Sequence, residues 1–323
     1  MDHYTVRPRV FLSRCLGFAP CRWNGVTIHD TFIEALKPHV ECITVCPEIE
    51  LGLGVPRDPI SIVFKDNHYK LMQHNTGNDL TESMLQFTND YLDVLQEVDG
   101  FILKDRSPSC GIKDVKVSPG LDAPDPLRKT SGFFAREIMK RFGAFAIESE
   151  KGLQNVRIRE HFLVKLFVLS RFRQLKSKTT MKDLVQFHTQ NKLLFMAYNQ
   201  KELAIMGRIV ANTEKRNVDE VFIKYEEHFL RSLNRLPQFT SHINVLMHAF
   251  GYFSKNLSSK EKRLFLNALE TYKHKQIPLS VPISLLRSYI TRFQIEYLAH
   301  QTYLEPYPIE VGSIGDSQKV STY

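Results

Sequence analysis

The hydrophobic period of this chain changes once, near residue 157, and that change limits the fold more than any other feature. Before it, short β-rich runs alternate with amphipathic stretches. Val10 to Ser13, Cys42 to Val45, Ile60 to Phe64, Gly100 to Leu103 and Ala144 to Ile147 read as strands, with helical periodicity over Ile28 to Lys37, Leu80 to Val98 and Ser131 to Phe142. Alternation of this kind predicts an α/β domain, a mostly parallel sheet with flanking helices. After the change, runs rich in Leu, Phe, Lys and Arg predict helices near 157–175, 179–197, 200–212, 216–234, 239–256, 259–274 and 281–303. Pro237 separates two of them, and Pro278 and Pro282 bracket the start of the last. The expected organisation is an α/β domain over 1–156, an all-α domain over 157–307 and an irregular tail over 308–323.

Charge follows the same division. Residues 1–150 carry 17 Lys and Arg against 21 Asp and Glu, whereas residues 151–323 carry 26 against 14. Asymmetry of this sort points to a polyanion-binding module joined to a near-neutral one. No segment approaches the roughly 20 apolar residues a membrane helix requires, so a soluble cytoplasmic protein is expected, with no membrane partner. Five cysteines in 323 residues are too few and too odd for a disulfide framework, and favour metal binding or redox chemistry.

Three of those cysteines sit where a strand runs into a turn: Ser13-Arg14-Cys15-Leu16-Gly17, Val45-Cys46-Pro47-Glu48 and Ser107-Pro108-Ser109-Cys110-Gly111. An open sheet binds ligands in the loops beyond the carboxyl ends of its strands. Thiolates from separate loops can hold a metal centre on one side and leave the other side open. This is not the paired C-x-x-C spacing of a closed structural zinc site. Cys15 and Cys21 lie six apart and Cys42 and Cys46 four apart, so either pair can contribute; Cys42, inside a strand, fits the role of a small buried hydrophobe. Glu48, two residues beyond Cys46, is the natural general base for water beside such a centre, or else a helix-start residue. Ser107 and Ser109 can donate to cluster sulfur or substrate, or cap a turn.

Cys15-Leu16-Gly17 followed by Cys21-Arg22-Trp23-Asn24-Gly25, then Val45-Cys46-Pro47-Glu48 running into Gly52-Leu53-Gly54-Val55-Pro56-Arg57, then Leu103-Lys104 ahead of Ser107-Pro108-Ser109-Cys110-Gly111, resemble the thiouracil desulfidase family. The segments Leu184 to His188, Lys192 to Tyr198 and His242 to Tyr252 resemble the helical YbgA-like domain often fused to it. The fused form is similar to desulfidases acting on thiolated uridine in transfer RNA. Two positions depart from the family pattern: Trp23-Asn24-Gly25 stands where Tyr-Asp-Gly is usual after the arginine, and Glu150-Lys151-Gly152-Leu153 where Glu-Gly-Arg-Leu is expected.

The resemblance implies a four-iron four-sulfur (4Fe-4S) cluster held by Cys15, Cys46 and Cys110, with one iron not ligated by protein and free to bind a thiocarbonyl sulfur, and Glu48 as the acid/base carboxylate. A soft iron site selects sulfur over oxygen. The expected activity is non-redox desulfidation of 4-thiouridine to uridine in tRNA with release of sulfide. In the second domain, Arg171-Phe172-Arg173-Gln174-Leu175-Lys176-Ser177-Lys178 can track a phosphate backbone through Arg171, Arg173, Lys176 and Lys178; alternatively its Phe packs inward and its cations are solvated. His188, His242 and His248 lie on apolar helices and read as hydrogen-bonded core or groove residues. Two other readings stay open: a desulfidase of free thiouracil or another small thiolated base, and a non-catalytic iron–sulfur RNA-binding or redox-sensing protein.

Overall fold

The computed structural model describes residues 6–120 and 128–312. The described residues divide into two compact units, one holding residues up to 170 together with 307–312 and one holding residues 171–306.

The first unit contains a four-stranded, fully parallel sheet in the order β2-β1-β5-β8, built from β1 (Arg9–Ser13), β2 (Glu41–Val45), β5 (Gly100–Leu103) and β8 (Ala146–Ser149). The central strands β1 and β5 are the continuous apolar runs that burial on both faces demands, with Phe11, Phe101, Ile102 and Leu103 completely inaccessible. Helix α1 (Thr31–Leu36) joins β1 to β2, and Asp30 caps it by accepting from Ile33 N at 3.0 Å. After the short α2 (Pro47–Glu50), helices α3 (Thr81–Val94) and α4 (Phe133–Phe142) pack together over the sheet, where Phe11, Phe134 and Tyr91 make ring contacts.

A second sheet was not legible in the sequence. Ile60–Lys65 (β3) does not join the parallel sheet; it pairs antiparallel with β4 (His68–Gln73) and parallel with β6 (Val115–Ser118), which in turn pairs antiparallel with β7 (Arg128–Thr130). The β3–β4 connection is two residues long, and Asp66 and Asn67 both have positive φ, 53° and 63°, as a tight hairpin turn requires.

Beyond β8 the described structure is helical: α5 (Val156–Lys176), α6 (Met181–Gln190), α7 (Lys192–Tyr198), α8 (Gln200–Ala211), α9 (Val218–Ser232), α10 (Phe239–Gly251), α11 (Ser259–Lys273), α12 (Ser280–Phe293), α13 (Glu296–Ala299) and α14 (Ile309–Gly312). Two expected helices are each broken. The 179–197 run stops at Asn191, whose buried side chain accepts from Thr302 Oγ1 and donates to Phe187 O. The 281–303 run stops at Gln294, which takes a left-handed conformation at φ 51°. Side-chain oxygens of Thr180, Asn199, Asn217 and Ser258 cap α6, α8, α9 and α11, the last as a reciprocal capping box with Glu261. Phe172, Phe187, Phe195, Tyr225 and Phe229 form the aromatic core of the second unit.

Candidate active site

Strand order puts the site where it is. From β1 the chain leaves to β2 on one side, and β5 lies on the other, so the carboxyl ends of these neighbours open onto a crevice of the kind where open sheets bind ligands. Cys15 follows β1, Cys46 follows β2, and Cys110 follows β5 after the segment Lys104–Ser109. All three line one cavity of about 440 Å³, and all are buried.

Each loop is locally determined. Cys46 stands at the N-cap of α2 with Pro47 as the first helical residue, the position where a missing N–H costs nothing. The Cys110 turn is tied by Ser107 Oγ, which accepts from Ser109 N at 3.2 Å and Cys110 N at 3.1 Å. Glycine is required around it: a Cβ on Gly111 would lie 2.8 Å from Ser107 O, and one on Gly132 would collide with Ser109 O.

Cys21, left open in the sequence, joins the other three. It lines the same cavity and is buried, and its backbone carbonyl accepts from Cys46 Sγ at 3.7 Å. Its thiol is pushed up to about 11, first by the Cys15 hydrogen bond and then by burial. Cys46 is raised by its bond to Cys21 and by burial, and Cys110 chiefly by burial. Cys42 is where the sequence reading fails on burial. It does lie in β2, but β2 is an edge strand of which Val45 is the buried residue, and Cys42 is exposed.

Glu48 lines the cavity with both oxygens engaged. Oε2 accepts from Arg57 Nη2 at 2.6 Å and Nε at 3.0 Å, and Oε1 accepts from Ser109 Oγ at 3.0 Å. The Arg57 side chain is 3% exposed and that of Glu48 14%. Arg57 also donates to Cys21 O at 3.0 Å and Gly54 O at 2.9 Å, so one guanidinium joins the Cys21 loop, the Gly54 turn and the carboxylate. Arg57 was not singled out from the sequence, although it closes the run Gly52 to Arg57; nothing in its spacing says that it folds back onto Glu48. Of the two serines, Ser109 reaches the carboxylate and Ser107 caps the turn. Glu150, at the departed junction, pairs with Lys104 and accepts from Asp105 N at 2.7 Å, holding two residues of the cavity wall.

The donor set fits an iron–sulfur cluster. Thiols distributed around a cavity from separate loops suit a multi-atom cluster, whose irons lie apart and take thiolate ligands.

The four cations of the second unit do not form a stripe. Lys176 pairs with Glu226 at 3.0 Å, Arg171 is half-buried and donates to Pro306 O at 3.5 Å, Arg173 is half-buried, and Lys178 is exposed just past α5. Phe172 between them is 2% exposed in the aromatic core. His188 bonds Tyr225 Oη at 3.1 Å and is held down at about 4 by burial, and His242 bonds Tyr303 Oη at 2.9 Å. His248, expected in the core or a groove, is instead exposed and meets the Tyr252 ring edge-on. Among the described residues no helix is long and apolar enough to cross a membrane.

Comparison with known proteins agrees with this division. The family model described as 2-thiouracil desulfurase matches residues 10–150, and one described as a protein of unknown function (DUF1722) matches residues 192–308. The uncharacterized protein YbgA of Escherichia coli (strain K12) is 28% identical over 154 residues, 47% of this chain and 91% of that protein. The uncharacterized protein YbbK of Bacillus subtilis (strain 168) is 30% identical over 109 residues, 32% of this chain and 72% of that protein. A solved structure of the 4Fe-4S-dependent thiouracil desulfidase TudS aligns at 22% identity and a TM-score of 0.35, covering 46% of this chain and 93% of that one. The chain belongs to the 2-thiouracil desulfurase family through residues 10–150, fused to a YbgA-like domain over residues 192–308.

Proposed function

We propose that this protein is an iron–sulfur-dependent desulfidase that converts 4-thiouridine in tRNA to uridine without net redox change. The observation that carries the reading is the meeting of Cys15, Cys46 and Cys110 in one cavity with a fixed carboxylate, Glu48.

Cys15, Cys46 and Cys110 would hold a 4Fe-4S cluster, with no protein ligand on its fourth iron. When bound, that cluster supplies a soft Lewis-acidic site that polarises a thiocarbonyl. Glu48 deprotonates the attacking water. Arg57 occupies Oε2 with two N–H groups and Ser109 directs Oε1, so the carboxylate keeps one orientation during proton transfer. Ser107 lines the cavity, and its Oγ keeps the Cys110 turn closed. The water oxygen replaces sulfur on the ring carbon, and sulfur leaves as sulfide with the bonding electrons, so no external electron donor is needed. Cys21, whose carbonyl accepts from Cys46 Sγ, stays in the wall.

Two features support RNA as substrate. The segment 151–323 carries 26 basic against 14 acidic side chains, and Arg22 and Arg106 line the cavity itself, so a phosphate backbone entering it would meet positive charge. Arg171, Arg173, Lys176 and Lys178 are the proposed backbone contacts of the helical unit. The matched family description names the free base, and the cavity of about 440 Å³ lies within the range of small-molecule sites; free 2-thiouracil is therefore the second reading. Anaerobic reconstitution with iron and sulfide, followed by nucleoside analysis of treated bulk tRNA, separates the two. Loss of 4-thiouridine with matching sulfide release is expected. Turnover of 2-thiouracil with tRNA untouched would make the free base the substrate, and a reconstituted protein inactive on both would leave the non-catalytic iron–sulfur reading.

A further inference from the structure

Trp23 is the only tryptophan of the chain, and it stands 46% exposed on the wall of the thiol cavity. A ring of that size gains most from being covered, and tryptophans are on average highly buried. Its exposure does not come from a loose loop. Arg57 N donates to Trp23 O at 2.9 Å, Arg57 Nη2 donates to Cys21 O at 3.0 Å, and Gly25 N closes a turn onto Arg22 O at 2.9 Å. The backbone around the indole thus rests on the same arginine that holds Glu48.

The surroundings describe what would cover the ring. Val26 and Val55 are 45% and 41% exposed, and a Cβ on Gly25 would lie 3.6 Å from Val55 Cγ1, so the two loops abut and present apolar surface together. Arg22 and Arg106 line the same cavity, and the Arg106 side chain is 62% exposed. Arg106 pairs with Asp105 at 3.5 Å, so the apolar aromatic face, set in a cavity that also holds the thiols, fits the flat face of a heteroaromatic ring.

We propose that Trp23 is the stacking platform for the nucleobase that enters this cavity, a thiolated pyrimidine supplied as the free base or within RNA. The proposal rests on the desulfidase reading. Trp23 acts by binding and orientation, with Glu48 left to the proton, so its removal raises KM far more than it lowers kcat. Base stacking on an aromatic ring is sequence-tolerant, which suits a platform that must accept RNA in many contexts.

The lone indole reports directly on the test. With reconstituted full-length protein, titration with 4-thiouridine 5′-monophosphate, with 2-thiouracil and with tRNA is expected to quench tryptophan emission saturably, in step with binding measured by equilibrium dialysis. Trp23→Ala is expected to raise KM by on the order of 10-fold or more, with kcat within about 3-fold and with iron content and cluster absorbance unchanged; Trp23→Phe is expected to restore most of the affinity. A KM rise on tRNA alone, on 2-thiouracil alone or on both supports the platform and identifies the source of the ring. Emission that stays constant while dialysis shows saturation overturns it, as does Trp23→Ala with wild-type KM. If Trp23→Ala does not fold, wild-type quenching and the Trp23→Phe kinetics decide. Wild-type protein that neither binds nor turns over any of the ligands removes the desulfidase reading and the platform together; active wild-type protein with a silent indole removes the platform alone.

Discussion

Arg57 meets Glu48 with two N–H groups on a single carboxylate oxygen, Nη2 at 2.6 Å and Nε at 3.0 Å. The pair is almost fully withdrawn from water, where the loss of one partner leaves the other charged and uncompensated. Arg57→Met is therefore expected to destabilise the protein by about 3–5 kcal/mol, read as a lower midpoint of thermal unfolding. Arg57→Lys keeps the charge without the fork and should retain part of the stability while losing turnover. A variant of Arg57 as stable and as active as wild type would show that the carboxylate needs no orienting partner.

Glu48→Gln preserves the shape and removes the base. Iron content and substrate binding should be kept while turnover falls by about 10²-fold or more, the scale of general-base catalysis. Single-turnover kinetics on the reconstituted protein check this. Near-normal turnover would move the proton to Ser107, which lines the cavity, or to Ser109, the hydroxyl already bonded to Glu48 Oε1.

Replacing Cys15, Cys46 or Cys110 one at a time by Ser is expected to abolish iron loading, measured as bound iron and visible absorbance after anaerobic reconstitution. Cys42→Ser should load normally, since Cys42 is exposed on the edge strand β2. Cys21→Ser is the informative variant, because Cys21 lines the same cavity as Cys15, Cys46 and Cys110. Retained iron keeps it in the wall of the site, and loss equal to that of the other three would make it a ligand.

Binding of tRNA should weaken steeply as salt rises, because each neutralised phosphate releases counterions. Turnover of free 2-thiouracil should barely respond. Filter binding of tRNA between about 50 and 200 mM salt gives the slope, and a flat dependence would rule out a basic RNA clamp. Cutting the chain at residue 155 is not a clean version of this test. Residues 156–170 belong to the first compact unit, where Leu166 packs against Gly100 at the start of β5.

His161 and His188 are both held at about 4, chiefly by burial, below the ordinary value of 6.5. Between those values the unfolded chain binds more protons than the folded one, so stability is present above pH 6.5 and is lost as pH falls toward 4. Each histidine contributes a slope of up to about 1.4 kcal/mol per pH unit in that window. His188→Gln should flatten the midpoint-versus-pH curve there, measured by thermal unfolding at closely spaced pH values. An unchanged slope would assign the effect to other groups.

Much of this molecule could be read along the chain. Period-2 and continuous apolar runs located β1, β2 and β5, and helical periodicity located α5 and α8 to within a residue or two, because these elements bury one face or both and the burial is written in residue spacing. The β4 strand, His-Tyr-Lys-Leu-Met-Gln, alternates too weakly to announce itself, and it became a strand through its pairing with β3. The breaks at Asn191 and Gln294 likewise escaped, since the first depends on Thr302, 111 residues away.

Local chemistry in the sequence determined that Cys15, Cys46 and Cys110 would stand at strand ends beside permissive or rigid neighbours, with Glu48 close to one of them. Their convergence was decided by tertiary structure alone. The order β2-β1-β5 sets three carboxyl ends side by side, and no pattern along the chain encodes which strand lies next to which. The same holds for Arg57 folding back on Glu48, for Cys21 entering the thiol group and for Trp23 standing open beside it. Phe172 shows the converse. The sequence left its ring either to nucleic acid or to the core, and the helix face it occupies turns inward to Phe187, Tyr225 and Phe229, because burying an aromatic ring in a packed core outweighs leaving it to solvent.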